Sequence, residues 1–389
     1  MLNSFRFRNA PTSTINILNL SIILCWLVWA IFYSLTASIN IPTFHLDGAF
    51  QTASGLYRLD AGQFPGKDFY PYLGIGPLFA LYPFFKAFGA NISASVFSAH
   101  FFVLLISMLS TAFIWQLIWR PKSFLTSLVA GSLLFLAPVG VASYFSLPLP
   151  DWMMFGVSPG NSLRPIRSAA PYLVAIIFYF SIFHISNARN KYIFSGLLTG
   201  AILLWSNDFA IPSAGLLVFF IGANALRCNE FKIKNVFIYL IAFIASWIAL
   251  ITLATHGHPV ELLKYNFFDV AQDQWWFFGP YGESTRIFNF QQLTRLFSQD
   301  NYIPLFVLCL IAIHALRTKL IEHALLLWIG ATLFAGGVVA SVGGNLGGYF
   351  GGFYFWGMMT ICVGFSRLVW LGFVKIAEHT SLVTRYSLQ

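Results

Sequence analysis

The sequence predicts an all-α polytopic membrane protein with about ten transmembrane helices and a first external loop folded into interfacial or re-entrant helices. Three observations predict it. Of 389 residues 58% are hydrophobic and only 9% charged, where a soluble domain carries roughly a quarter of charged residues. The apolar residues gather into stretches of about 17–25, enough to cross a bilayer. The lysines and arginines sit in short clusters between those stretches, so the formal charge of +9 reflects membrane orientation. No basic domain exists to lie along a phosphate backbone, which argues against nucleic acid as a partner.

The elements follow in order. The stretch 15–37 comes after Arg6 and Arg8 and resembles a signal peptide, but it is long enough to span and lacks a clear small-residue cleavage site, so it reads as a retained signal anchor. Residues 38–93 form the first external loop. Within it, 70–90 is apolar yet holds Gly74, Gly76, Pro77, Pro83 and Gly89, poor choices for one uninterrupted helix. It reads as a broken or interfacial element. Further spans fall at 94–118, 124–146, 168–186, 193–207, 209–226, 236–255, 302–317, 321–341 and 353–374. External loops 147–167 and 256–301 and the glycine-rich link GGNLGGYFGG at 343–352 separate some of them. No internal repeat stands out, so 1–389 reads as a single transmembrane domain.

Sidedness follows from the positive-inside rule. With 70–90 not crossing, Arg6/Arg8, Arg120/Lys122, Arg189/Lys191, Arg227/Lys232/Lys234, Arg317/Lys319 and Lys375/Arg385 all fall on the cytoplasmic side, with both termini. Asp47, Asp60, Asp68, Asp151, Asp208, Glu261, Asp269, Asp273, Glu283 and Asp300 fall on the other. Acids contribute little to orientation, so their segregation points to polar chemistry on the non-cytoplasmic face. Cys25, Cys228, Cys309 and Cys362 form no CxxC pair and have no histidine at ligand spacing, which predicts neither disulfides nor structural zinc.

An ordered constellation follows the first span: Asp47, then GQFPGKDF at 62–69 with Asp68, GPL at 76–78 and FG at 88–89. It resembles the integral-membrane glycosyltransferases of the GT-C type, especially relatives of protein O-mannosyltransferases and aminoarabinose transferases. The resemblance covers roughly the first quarter of the chain; the remainder matches as a hydropathy pattern. The chain departs from the family where Gly48 follows Asp47 in place of a second acid, and where NISASVFSAHFF lacks an early arginine. The resemblance implies transfer of a sugar from a polyprenyl-phosphate donor to a cell-envelope glycan or lipid acceptor, such as lipopolysaccharide, on the periplasmic face. It also implies an acid in the first loop that acts as base or orients the acceptor. The compact build suggests a bacterial inner membrane. No cofactor is expected, and a divalent metal is not indicated.

Physical chemistry gives these residues roles. Transfer from a polyprenyl phosphate needs a base for the acceptor hydroxyl and donors that hold the phosphate as it gains charge. Asp47 is the base candidate, with helix N-capping as its competing role. Asp68, beside Lys67, is a second catalytic candidate or half of a solvated ion pair. Arg164 and Arg167, three apart in SLRPIRSAAPYL, join Lys67 as candidate phosphate ligands; snorkelling to headgroups is the alternative. Asp208, between two spans with almost no loop, is a substrate-binding candidate or a cap. In the third loop Trp275, Trp276, Tyr281 and Glu283 suit sugar recognition, or form an interfacial aromatic belt. His45 near Asp47, and His256-x-His258 with Glu261, carry weaker signals for a base or metal ligand. A lipid-linked oligosaccharide polymerase and a non-enzymatic transporter or flippase remain as rival readings.

Overall fold

The computed structural model describes residues 12–40, 46–71, 74–182, 184–185, 187–227, 233–269, 299–318, 320–341 and 350–386. Among them the protein is a bundle of helices, and its one strand-like pairing is an isolated bridge between Pro65 and Phe69. Eight described helices are long and apolar enough to cross a membrane: Ile17–Ile39, Ile92–Trp119, Phe124–Tyr144, Arg164–Ile182, Ile233–Ala254, Asn301–Thr318, Ile321–Ala340 and Gly351–Val374. The protein is an all-α polytopic membrane protein.

In chain order, α1 (Thr12–Ile39) leads to the short helices α2 (Leu46–Asp60) and α3 (Ile75–Ala87), and then to α4 (Ile92–Trp119) and α5 (Phe124–Tyr144). The next elements are α6 (Asp151–Val157), the single turn α7 (Arg164–Arg167) that runs into α8 (Ala170–Ile182), α9 (Ala188–Ile202), α10 (Ala210–Arg227) and α11 (Ile233–Ala254). After the short α12 (Pro259–Lys264) come α13 (Gln299–Thr318), α14 (Ile321–Ser341) and α15 (Gly351–Tyr386).

α4 is the central element, with 83% of its apolar window buried. Its small and hydroxyl residues allow neighbours to approach closely, and the hydroxyls bond within the helix, as Ser98 Oγ does to Ala94 O and Thr111 Oγ1 to Ser107 O. A buried hydroxyl in an apolar surrounding needs such a partner. Outer helices expose apolar side chains instead: Phe32, Phe219, Phe237, Phe306 and Phe365 are all more than half exposed. In water such a surface would drive association; against lipid it is at home.

The stretch 70–90 forms α3, whose 13 residues reach about 20 Å, short of the roughly 30 Å hydrocarbon layer. It packs through Leu78, Leu81 and Phe85 into a core shared with α2 and α4. The two spans read at 193–207 and 209–226 correspond to α9 and α10, of 15 and 18 residues, which are not among the eight. α9 ends at Ile202, earlier than its apolar run, because Gly76 N–H donates to Leu204 O and Trp205 O at 2.9 and 3.1 Å. Those bonds take carbonyls that another helical turn would have used.

Side-chain contacts define two ends. At one, Arg120 beyond α4 meets Glu322 of α14 at 3.5 Å and Phe124 of α5 packs edge-on to Phe180 of α8. At the other gather the starts of α4 and α15, the ends of α5 and α11, and the chain before α10. The basic clusters Arg120/Lys122 and Arg317 belong to the first end; Asp60, Asp68, Asp208 and Glu261 belong to the second.

Candidate functional site

The second end is built from three loops and one interrupted helix pair. Between α9 and α10 the chain breaks over Leu203–Phe209, and the glycine at 74 lets the first loop lie flat on this break. Gly74 has φ +95°, and a Cβ there would meet Ser206 Cα at 2.5 Å. From the other side α7 approaches: Trp205 Nε1 donates to Ile166 O at 2.9 Å. The same contact brings in Arg167, whose Nη1 lies 2.7 Å from Asp208 Oδ2, with the two side chains 9% and 7% exposed.

This ion pair joins two candidates that the sequence placed on separate loops. Asp208 also accepts through Oδ1 from Phe209 N–H at 3.0 Å, so one oxygen is held by the adjacent backbone just before α10 while the other faces Arg167. The contact to Oδ2 lacks hydrogen-bond directionality, and Arg167 Nε is buried without a hydrogen-bond partner. A buried guanidinium N–H without an acceptor is costly. Arg164, three residues earlier, is half-buried. Arg167 thus pairs with Asp208, and Arg164 lies nearer the surface.

α2 reaches this site from the first loop. Ser162 Oγ, just before Arg164, donates to Gln51 Oε1 at 3.3 Å, and Asp47 stands in the first turn of α2, one helical turn ahead of Gln51. The side chain of Asp47 lies outside the described residues, as do His45, Trp275, Trp276, Tyr281 and Glu283.

Asp68 is held by its own turn. Its Oδ2 accepts from Phe64 N–H at 2.8 Å, and Arg58, near the end of α2, donates to its backbone oxygen at 3.3 Å. The two first-loop acids thus stand at opposite ends of a 15-residue helix, about 22 Å long. The Gly66–Asp68 turn folds back on Phe64, so the exposed Asp68 carboxylate closes its own turn. Lys67 is exposed on the same turn. His256 stacks on Phe64 at 4.2 Å and His258 Nδ1 is 3.9 Å from Glu261; among the described residues no three His, Cys, Asp or Glu groups converge as metal ligands.

Beside the break is an apolar groove of about 400 Å³, lined by Phe64, Ile75, Phe79, Leu204, Leu250 and Leu253. Phe79 and Leu253 are exposed, so the groove communicates with the outer apolar surface. Sequence reasoning missed this groove and the role of Trp205. The only signal in the chain was the Gly74/Gly76 pair, which marks close backbone approach.

Comparison with protein-family models, curated proteins and solved structures finds no match to this chain.

Proposed function

We propose that this protein is a membrane glycosyltransferase that moves a sugar from a polyprenyl-phosphate donor to a cell-envelope glycan or lipid on the periplasmic side of a bacterial inner membrane. The observation that carries the reading is the convergence at one end of the bundle. There a buried arginine with an unsatisfied N–H, a second arginine, the start of an acid-bearing helix and an apolar groove meet around the break Leu203–Phe209. A polyprenyl phosphate has matching parts: an anionic head that guanidinium groups bind in forked geometry, and a hydrocarbon tail that an apolar groove open to lipid accommodates.

In this reading Arg164 contacts the donor phosphate, and Arg167, held by Asp208, supplies its remaining N–H as negative charge grows on the leaving phosphate. Asp47 takes the proton of the acceptor hydroxyl. Trp275, Trp276, Tyr281 and Glu283 serve as sugar contacts from the third loop. The test is a transfer assay with purified protein in nanodiscs, a polyprenyl-phosphate-linked sugar and lipid acceptors. Asp47→Asn should lower the rate by about 10²–10⁴-fold, the range of general-base catalysis, with folding intact. Wild-type turnover by Asp47→Asn would remove the base from the mechanism. Absence of transfer by the wild-type chain with any donor, alongside donor-independent passage of lipid-linked glycan across liposomes, would replace the enzyme by a transporter.

A further inference from the structure

The end of the bundle opposite this site holds a concentration of charge that the proposed reaction does not use. Arg367 lies within the span Gly351–Val374, about two turns from its end, where an ionisable residue is expensive and marks a site by default. Its Nη1 donates to Ile118 O at the close of α4. Arg120, in the left-handed conformation that ends α4, brings a second guanidinium to the same place. Among the described residues one carboxylate faces them, Glu322 at 3.5 Å from Arg120 Nη2. His323 and His314, with ring centroids 4.4 Å apart, complete the cluster, and exposed Lys122 and Arg317 border it.

Among the described residues the charges do not balance: two fixed cations meet one acid. Arg120 Nε and Nη2 are buried without hydrogen-bond partners, the ion pair to Glu322 being poorly directed. Two neighbouring guanidinium groups, that of Arg120 with unused donors, form the recognition element for a phosphate. The surroundings decide which phosphate. Trp115 stacks on Trp119 at 4.9 Å and Trp119 lies 6.5 Å from Trp370, an indole group of the kind found at headgroup level. Phe365 and Leu368, on either side of Arg367 in the chain, are 65% and 68% exposed, and offer apolar surface to acyl chains.

We propose that Arg120 and Arg367 bind the headgroup phosphate of an anionic phospholipid at this end of the bundle. A net anionic lipid is selected over a zwitterionic one because Lys122 and Arg317 repel the choline or ethanolamine cation. Glu322 limits the affinity by competing for Arg120.

The test is native mass spectrometry of delipidated protein titrated with phosphatidylglycerol, phosphatidylcholine or inorganic phosphate. Phosphatidylglycerol should be retained about tenfold more tightly than phosphatidylcholine, and Arg120→Gln should remove that preference, as expected for loss of a charge-assisted hydrogen bond. Arg120→Lys should keep part of it, and Glu322→Gln, which removes only the counter-charge, should strengthen it. Millimolar inorganic phosphate should not displace the lipid. Equal retention of both lipids by the wild-type chain would overturn the proposal, as would a preference unchanged in both Arg120→Gln and Glu322→Gln. Displacement of the lipid by inorganic phosphate would assign the arginines to a soluble anion and equally overturn it.

Discussion

Arg167 and Asp208 set the first test at the level of single residues. Both are buried, and removing one member of a buried pair leaves the other charge unpaired in a poor solvent for it. Asp208→Asn should therefore destabilise the protein by about 3–5 kcal/mol, read as a lower melting temperature in detergent. Replacing both residues with apolar side chains of similar volume should recover most of that loss, because desolvation nearly cancels the attraction in such pairs. A single-mutant cost below about 1 kcal/mol would match an exposed pair and contradict the burial. The ion pair between Asp60 and Lys86 belongs to another class. The Lys86 ammonium, aided by Tyr82, holds the Asp60 carboxyl below its usual range. A carboxylate lowered on folding contributes stability above its unfolded pKa of about 3.9 and loses it as pH falls through the folded value. The α2–α3 contact should thus be insensitive to pH from about 5 to 9 and loosen below about 4, seen as faster hydrogen exchange near Tyr82. In Lys86→Met that acid dependence should vanish.

Among the elements, α9 and α11 are the most closely apposed pair, and the cause is local. Gly196 and Gly200, four apart, present bare backbone to α11: a Cβ at Gly196 would stand 2.5 Å from Tyr239 O, and one at Gly200 2.6 Å from Phe243 O. Thr199 and Tyr239 hydroxyls meet at 2.9 Å and Ser246 Oγ donates to Leu197 O at 2.9 Å. Small residues with interhelical hydrogen bonds are the usual adhesive between helices in lipid. Gly200→Leu should cost about 1–3 kcal/mol or more through overpacking, while Leu197→Ala, at an exposed position on the same helix, should cost less than half as much; thermal melts of both variants provide the comparison. The sequence carried the helices well, because bilayer thickness forces a readable length and polarity on each span. It carried the site less well. The end of α9 at Ile202 depends on hydrogen bonds from Gly76, and Asp208 finds Arg167 only through folding; neither contact leaves a periodic trace. The bond from Phe64 N–H to the Asp68 carboxylate is likewise a turn contact that the motif does not announce.

For the whole molecule, the two ends differ in chemistry, and orientation in the membrane decides what each can do. α4 has 28 residues, about 42 Å of helix, so its two flanks stand on opposite sides of a layer about 30 Å thick. Asn91 caps its start, through a side chain that accepts from Ala94 N–H at 2.9 Å, and Ser123, exposed, opens α5 beyond its end. Asn91 belongs to the acid-bearing end that holds the break at Asp208; Ser123 belongs to the basic end with Arg120 and Lys122. The inside-positive bias then predicts that single cysteines at these positions, in a chain otherwise free of cysteine, react from opposite sides. In intact cells a membrane-impermeant maleimide should label Asn91→Cys, and Ser123→Cys only after permeabilisation. The reverse pattern would turn the loop end toward the cytoplasm, where a periplasmic acceptor cannot reach it. It would also move Arg120 and Arg367 to the outer headgroups. The same labelling result therefore bears on both proposed ligands at once, because the fold fixes the two sites at opposite ends of one bundle.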